Sequence, residues 1–189
     1  MPLSVLRSFP FLAAVWGASE LALMLFKRSA PASSRDRNSL RLMWLAICGG
    51  IIGAVLAAQN LSALALPGRG VVLPLSLALF AAGIIIRIYS IIYLGRSFTT
   101  NVAITSGQKL VDSGPYKYVR HPSYTGALMT FLSFGLFFCN AASLLIMVVP
   151  IYAAFFWRIH VEEEALLGAF GDAYKEYMAR TKRLVPGIY

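Results

Sequence analysis

Five apolar runs, separated by polar or charged stretches, decide what this chain can fold into: roughly Val5 to Phe26, Leu42 to Leu66, Val71 to Leu94, Gly126 to Phe138 and Ala142 to Trp157. In hydrocarbon every backbone N–H and C=O needs a partner within the protein, and a single segment achieves that only as a helix of about 20 residues. The last two runs are shorter, and the brief break at Cys139 and Asn140 predicts a tight helical hairpin. The expected fold is therefore an all-α integral membrane protein with five transmembrane helices. Composition agrees, since 58% hydrophobic and 13% charged residues with a mean hydropathy of +0.69 do not describe a soluble domain. The 189 residues suit one membrane domain, 1–189, without an internal repeat.

A net charge of +9 would suggest nucleic acid in a soluble protein, but here its distribution suggests a topology. Lys27, Arg28, Arg35, Arg37 and Arg41 follow the first run. Arg96, Lys109, Lys117 and Arg120 follow the third, and Arg158, Lys175, Arg180, Lys182 and Arg183 follow the fifth. With five crossings these regions share one face and hold 14 of the 17 basic residues, against Arg7 and Arg69 opposite. The positive-inside rule makes the basic face cytoplasmic and places the N-terminus outside. Glu20 within the first run, with no small-residue cleavage site after it, favours a span over a signal peptide. Pro150 is expected to kink the fifth span.

The remaining basic residue, Arg87, lies inside the third run. A cation in hydrocarbon normally faces protein or a polar cavity and marks a pathway or a ligand; a guanidinium near a helix end can instead snorkel to the headgroups. Arg96 to Gly126 is the longest polar stretch, and it combines a Gly114-Pro115 turn with Tyr116, Tyr118, Arg120, His121 and Tyr124. Such a loop reads either as a binding segment or as an interfacial belt of aromatic and basic anchors. After the fifth run, Ile159, Leu166, Leu167, Phe170, Tyr174 and Tyr177 recur near helical period, which predicts an amphipathic helix over Arg158 to Tyr177, broken or bent near Gly168 and Gly171. Arg158 and Glu162 can pair four residues apart, whereas Glu163 points about 100° away from Glu162.

Soluble-enzyme motifs do not compete. The string Gly68 to Gly70 lacks a third glycine and a preceding strand, and Gly49, Gly50 and Gly53 read as helix-packing positions. His121 and His160 lack a ligand cluster, so no metal is expected, and Cys48 and Cys139 read as structural thiols.

The second half of the chain resembles the isoprenylcysteine carboxyl methyltransferase family. The resemblance covers roughly Gly83 to Tyr189 and rests on Arg87 followed by LGRSF, then KLVDSGPYKYVRHPSYTG, then RIHVEEEALLGAFGDAYKEY and a proline-containing tail. Met1 to Leu66 matches only as span material, and the short form is similar to prokaryotic members. The resemblance implies S-adenosylmethionine as methyl donor, with S-adenosylhomocysteine as product. The implied cofactor-binding parts are 95–125 and 158–189, on the cytoplasmic side, with Leu110, Val111, Gly114, Tyr116, His121, Tyr124, Glu162 and Glu163 as cofactor residues. Arg87 and Arg158 are implied as a pair of substrate-facing arginines.

Methyl transfer to an ionised carboxylate needs no general base, so alignment and exclusion of water suffice, and guanidinium groups suit a carboxylate clamp. The expected acceptor is a lipophilic small molecule or a prenylcysteine-like acid entering from the bilayer, with no nucleic acid and no metal involved. N-methylation of a phospholipid headgroup or S-methylation of a small thiol is the nearest alternative. The ending RLVPGIY with RHPSY also resembles membrane sterol reductases that use NADPH, but those are much longer and typically carry asparagine at the place of Ser123. A non-catalytic protein anchored by its loop is the remaining alternative.

Overall fold

The computed structural model describes residues 3–26, 34–95, 98 and 110–189. Among the described residues six helices follow one another: α1 (Leu3–Phe26), α2 (Ser34–Asn60), α3 (Arg69–Leu94), α4 (Pro122–Phe137), α5 (Ala141–Phe170) and α6 (Asp172–Arg180). Single 3-10 turns at Ser62–Leu64 and Gly114–Lys117 precede α3 and α4. Among the described residues, Arg37–Asn60, Arg69–Leu94 and Ala141–Phe170 are long and apolar enough to cross a bilayer, and Ser8–Leu23 is a shorter apolar helix. Large side chains such as Leu45, Val71, Ile85 and Ile92 are more than 60% exposed on the outer surface. An apolar exterior of this kind is what a lipid environment requires.

The central element is α4. Phe131 and Phe134 are fully buried, and rings from three other helices converge on them: Trp16 of α1 and Phe155 of α5 lie 5.3 and 6.0 Å from Phe131, and Phe9 of α1 and Phe80 of α3 lie 5.3 and 5.7 Å from Phe134. Each such edge or stacked contact adds about 0.5–1.5 kcal/mol beyond area burial. Along α2 the small residues Gly50, Gly53, Ala54 and Ala58 let α5 approach, and Ser143 Oγ donates to the Ala54 carbonyl at 2.8 Å. Gly50 and Gly53 thus face α5, while Gly49 has open space around it.

At one end of the bundle the two turns interlock. Asn140 caps α5 by accepting from the Ser143 amide at 3.0 Å and donates its Nδ2 to the Leu61 carbonyl at 2.8 Å. The Leu66 amide donates to the Cys139 carbonyl at 2.8 Å, with Cys139 at φ +48° making the sharp reversal. The hairpin between α4 and α5 is as tight as expected. At the opposite end lie the C-terminus of α3, the start of α4 and the whole polar apparatus described below.

Three expected boundaries move. The helix of the second run ends at Asn60 rather than Leu66, and a 3-10 turn at Ser62–Leu64 follows it. α4 begins at Pro122, whose ring is preorganised for the first helical turn, rather than at Gly126. The fifth span does not stop at Trp157: α5 continues unbroken through Arg158 and Gly168 to Phe170 and ends where Gly171 adopts φ +53°. Its 30 residues run about 45 Å against a hydrocarbon thickness of about 30 Å. Hydropathy falls at Trp157, but nothing in the backbone interrupts helical hydrogen bonding there.

Candidate active site

Close approach of α3 and α4 builds the site. Gly83 and Gly126 face each other so tightly that a Cβ added at Gly126 would lie 2.5 Å from the Gly83 carbonyl oxygen and 2.6 Å from the Arg87 amide nitrogen. Arg87, one turn beyond Gly83, is thereby set against the first turn of α4, and its Nη1 donates to the Ser123 carbonyl at 3.3 Å. The rest of the guanidinium grips Glu20 of α1 in a bidentate pair, Nε to Oε1 at 2.5 Å and Nη2 to Oε2 at 2.7 Å. The two side chains are only 14% and 12% exposed, so Arg87 is satisfied inside the protein and does not snorkel. Its carboxylate partner, Glu20, was recognised in sequence only as an argument against a signal peptide. Two opposite charges in separate apolar runs were the available signal.

This pair lines a cavity of about 40 Å³ together with Trp16, Trp44, Tyr124 and Phe155. The Trp16 Nε1 donor is buried and has no hydrogen-bond partner among the described residues. Tyr124 connects the cavity to α5: its hydroxyl donates to Glu162 Oε2 at 2.7 Å, while its ring lies edge-on to Phe155 at 5.5 Å and stacks on His121 at 5.6 Å. Arg158, expected beside Arg87 on a shared acceptor, is 2% exposed, donates Nη1 to Ser39 Oγ of α2 at 2.8 Å and also interacts with Tyr124 of the cavity wall.

Glu162 and Glu163 do point to different partners, as the helical spacing requires. Glu163 is buried and receives Arg120 Nε at 2.9 Å, Arg183 Nε and Nη2 at 2.9 and 2.8 Å, and the His121 Nε2 edge at 3.3 Å. It locks the C-terminal tail onto the loop before α4. Around it the Arg120 and His121 amides donate to the Lys182 and Arg183 carbonyls at 2.8 and 3.0 Å. Arg120 Nη1 donates to the carbonyls of Met178 and Thr181, and Thr125 Oγ1 donates to the Leu184 carbonyl at 2.8 Å. The hydrogen bonds to Glu163 hold the Arg183 guanidinium above its ordinary pKa despite partial burial. Arg120 and Arg183 carry this clamp, and neither was singled out as a site residue in sequence.

Leu110 and Val111 are half-buried in the segment entering the loop. Gly114 adopts φ +57° with the Tyr93 ring occupying the place of its missing Cβ, and Tyr93 Oη donates to Ser113 Oγ at 3.0 Å. Tyr116 is buried, its hydroxyl donating to the Ser90 carbonyl at 3.3 Å and its own carbonyl accepting from Tyr177 Oη at 2.6 Å. Residues 96–97 and 99–109 of the long polar stretch lie outside the described residues. Near the two glutamates, the Tyr174 hydroxyl is buried with no partner among the described residues, and burial first, then Glu163 and Glu162, pushes its pKa up. A half-buried carboxylate at Glu162, an orphaned hydroxyl at Tyr174 and aromatic faces at Tyr116 and Tyr124 fit a polar ligand that carries hydroxyl, ammonium and ring components.

Residues 76–168 match the isoprenylcysteine carboxyl methyltransferase (ICMT) family. The chain is 38% identical over 114 residues to protein-S-isoprenylcysteine O-methyltransferase B of Arabidopsis thaliana, covering 59% of this chain and 58% of that protein. It is 29% identical over 164 residues to protein-S-isoprenylcysteine O-methyltransferase of Schizosaccharomyces pombe, covering 80% and 70%. The solved structure of a eukaryotic intramembrane Ras methyltransferase, ICMT, superposes with a TM-score of 0.61 at 23% identity, covering 77% of this chain and 52% of that one. The chain therefore spans less than two thirds of the Arabidopsis relative and about half of the solved structure. Arg87, Ser123, Tyr124, Arg158, Glu162 and Glu163 fall within the matched residues, whereas Glu20, Ser39 and Tyr174 fall outside them. An apolar helical bundle with this site at one end is similar, from the third helix to the fifth, to the isoprenylcysteine carboxyl methyltransferase family.

Proposed function

We propose that the protein is an S-adenosylmethionine-dependent methyltransferase that esterifies the carboxylate of a lipophilic acceptor, such as a prenylcysteine or a fatty acid. The observation that carries this reading is the bidentate grip of Arg87 on a carboxylate inside an apolar cavity. That geometry presents the two parallel N–H groups that recognise a carboxylate, at a depth where a hydrocarbon tail remains in lipid. When bound, S-adenosylmethionine would supply an electrophilic methyl group for the acceptor carboxylate and would leave as S-adenosylhomocysteine.

The protein's part is positional. Arg87 orients the acceptor, the Gly83–Gly126 crossing fixes Arg87, and the aromatic walls at Trp16, Tyr124 and Phe155 exclude water that would solvate the attacking oxygen. Tyr124 holds Glu162 in one orientation. Glu162, Tyr174, Tyr116, Gly114, Leu110 and Val111 form the cofactor side in this reading, and Glu163 with His121 supports it from beneath by tying down the tail. Arg158 positions α5 through Ser39. The same reading takes α1 to α5 as five crossings, with the N-terminus outside and the site end cytoplasmic, following the distribution of basic residues.

One observation favours a second reading. The Arg87 charge is already balanced by Glu20, which leaves the cavity without a surplus positive charge and suits an amine or thiol acceptor. Purified protein in detergent, screened by thermal unfolding, tests the cofactor: S-adenosylhomocysteine is expected to raise the unfolding temperature by mass action. No shift with S-adenosylhomocysteine and a shift with NADPH would reject the methyltransferase reading. Mass spectrometry of products from matched acid, amine and thiol acceptors then separates the first reading from the second.

A further inference from the structure

Glu20 and an acceptor carboxylate cannot both occupy the Nε/Nη2 edge of Arg87. We infer that Glu20 is an internal stand-in for the acceptor's carboxylate, and that acceptor binding proceeds by exchange of one carboxylate for the other. This inference rests on the carboxyl methyltransferase reading and adds to it a specificity-determining residue outside the family match.

Three features of the site support exchange. The first is stereochemical. Glu20 makes the fork-to-fork contact that a substrate acid would make, and it lines the same cavity. The second is electrostatic. Arg87 is 14% exposed, and leaving it unpaired there is costly, whereas replacing one carboxylate by another keeps the guanidinium neutralised throughout. Neutral lipids, esters and amides offer no such replacement, so they leave Glu20 in place. The discrimination against them therefore comes from the incumbent carboxylate as well as from Arg87.

The third feature is mechanical. α3 and α4 meet backbone to backbone at Gly83 and Gly126, but α1 joins the bundle through long side chains, namely Phe9, Trp16 and Glu20. Glu20 sits six residues before the end of α1, about 9 Å along the axis, on the side where the polar apparatus lies. A shift of the Glu20 side chain or of α1 toward that end takes the released carboxylate to water. It also opens the small cavity at the face lined by Trp16, whose buried Nε1 lacks a partner among the described residues and gains an acceptor oxygen when a substrate acid enters.

The affinity for an acid is then the intrinsic affinity reduced by the fraction of molecules in which Arg87 is released. Substitution Glu20→Gln keeps the side chain's size and removes its claim on Arg87. The test compares wild type, Glu20→Gln and Glu20→Asp with an S-farnesylated cysteine acid and its carboxamide. Two quantities are read: KM against kcat for the acid, and the shift in unfolding temperature that each compound produces. Exchange predicts that the KM of Glu20→Gln for the acid falls about tenfold, with the effect on KM rather than kcat, if the released state is about a tenth populated. It further predicts that the acid stabilises Glu20→Gln more than wild type, and that the carboxamide stabilises neither. Glu20→Asp, with a shorter arm and a weaker grip, is expected to lower KM in the same direction. A KM that rises in both variants, or equal stabilisation by acid and carboxamide in Glu20→Asp, overturns the exchange and makes Glu20 a structural partner of Arg87. Should Glu20→Gln not fold even with the acid present, the Glu20→Asp comparison decides. Failure of the wild type to methylate the acid at all refutes the carboxyl methyltransferase reading itself, a result distinct from a wrong direction in KM.

Discussion

Adding a single methyl group at Gly126 tests how the site is held. In a helix, glycine to alanine ordinarily gains stability, up to about 1 kcal/mol. At Gly126 the new Cβ would stand 2.5 Å from the Gly83 carbonyl oxygen, 2.6 Å from the Arg87 amide nitrogen and 2.9 Å from Arg87 Cβ. Two of these three atoms are backbone, so no side-chain rotation relieves the clash. Restoring ordinary contact near 3.4 Å separates α3 from α4 by about 1 Å, and overpacking of this kind costs about 1–3 kcal/mol. The overpacking outweighs the propensity gain, and Gly126→Ala is expected to be destabilised. The same displacement carries Arg87 away from Ser123 and Tyr124, and misplacement of a reacting group by about 1 Å can cost about a hundredfold in rate. Gly49→Ala is the control, because nothing lies within 4 Å of its added Cβ. Thermal unfolding in detergent and acceptor turnover are measured for both variants. Gly49→Ala should match wild type or exceed it in stability. A Gly126→Ala protein as stable and as active as Gly49→Ala would refute the claim that this crossing positions Arg87.

Glu163→Gln leaves Arg120 and Arg183 facing a neutral amide, and breaking a buried ion pair from one side costs about 3–5 kcal/mol; limited proteolysis should cut the tail after Arg180 far faster than in wild type, and an unchanged cleavage rate would contradict the clamp. Tyr124→Phe keeps the ring contacts with Phe155 and His121 and removes the hydroxyl that bonds Glu162 and interacts with Arg158. A bond to a charged group contributes about 1.5–3 kcal/mol, so S-adenosylhomocysteine affinity measured by calorimetry should fall at least about tenfold, and unaltered affinity would remove Glu162 from the cofactor side. Burial raises the pKa of Tyr116, Tyr174 and Tyr177 above the ordinary tyrosine value. Their contribution to stability is present below the unfolded value of about 10 and is lost as pH rises through the folded values. Unfolding temperature should therefore drop on the alkaline side of about pH 10, together with the appearance of tyrosinate absorbance; tyrosinate appearing without loss of stability would contradict it.

Local features were legible where local physics determines them. Apolar runs marked the long helices, the break at Cys139 and Asn140 marked the hairpin, and Gly171 marked the end of a helix. The residues brought together at one end, among them Arg87, Tyr116, His121, Tyr124, Glu162 and Glu163, were also singled out in sequence, and the roles assigned to them stand as proposals. What escaped detection depends on separation along the chain. Arg87 and Glu20 are 67 positions apart, Arg158 and Ser39 are 119 apart, and no periodicity links such pairs. Glu163 entered as a cofactor residue only through the family resemblance, and the basic groups that surround it in space, Arg120, His121 and Arg183, lie 20 to 43 positions away along the chain. The continuation of α5 past Trp157 was missed for a different reason: hydropathy reports where lipid ends, and helical hydrogen bonding is indifferent to that boundary.

The central claim is that Arg87 presents a lipophilic carboxylate for methylation. It is tested most directly by incubating the purified protein with methyl-labelled S-adenosylmethionine and an S-farnesylated cysteine acid, then treating the lipid product with base. The account predicts labelled product that releases its label as methanol, as a carboxyl methyl ester must, and near-complete loss of that product in Arg87→Ala at saturating acceptor. Label that survives base on nitrogen or sulfur, or equal methanol release from Arg87→Ala, would contradict it.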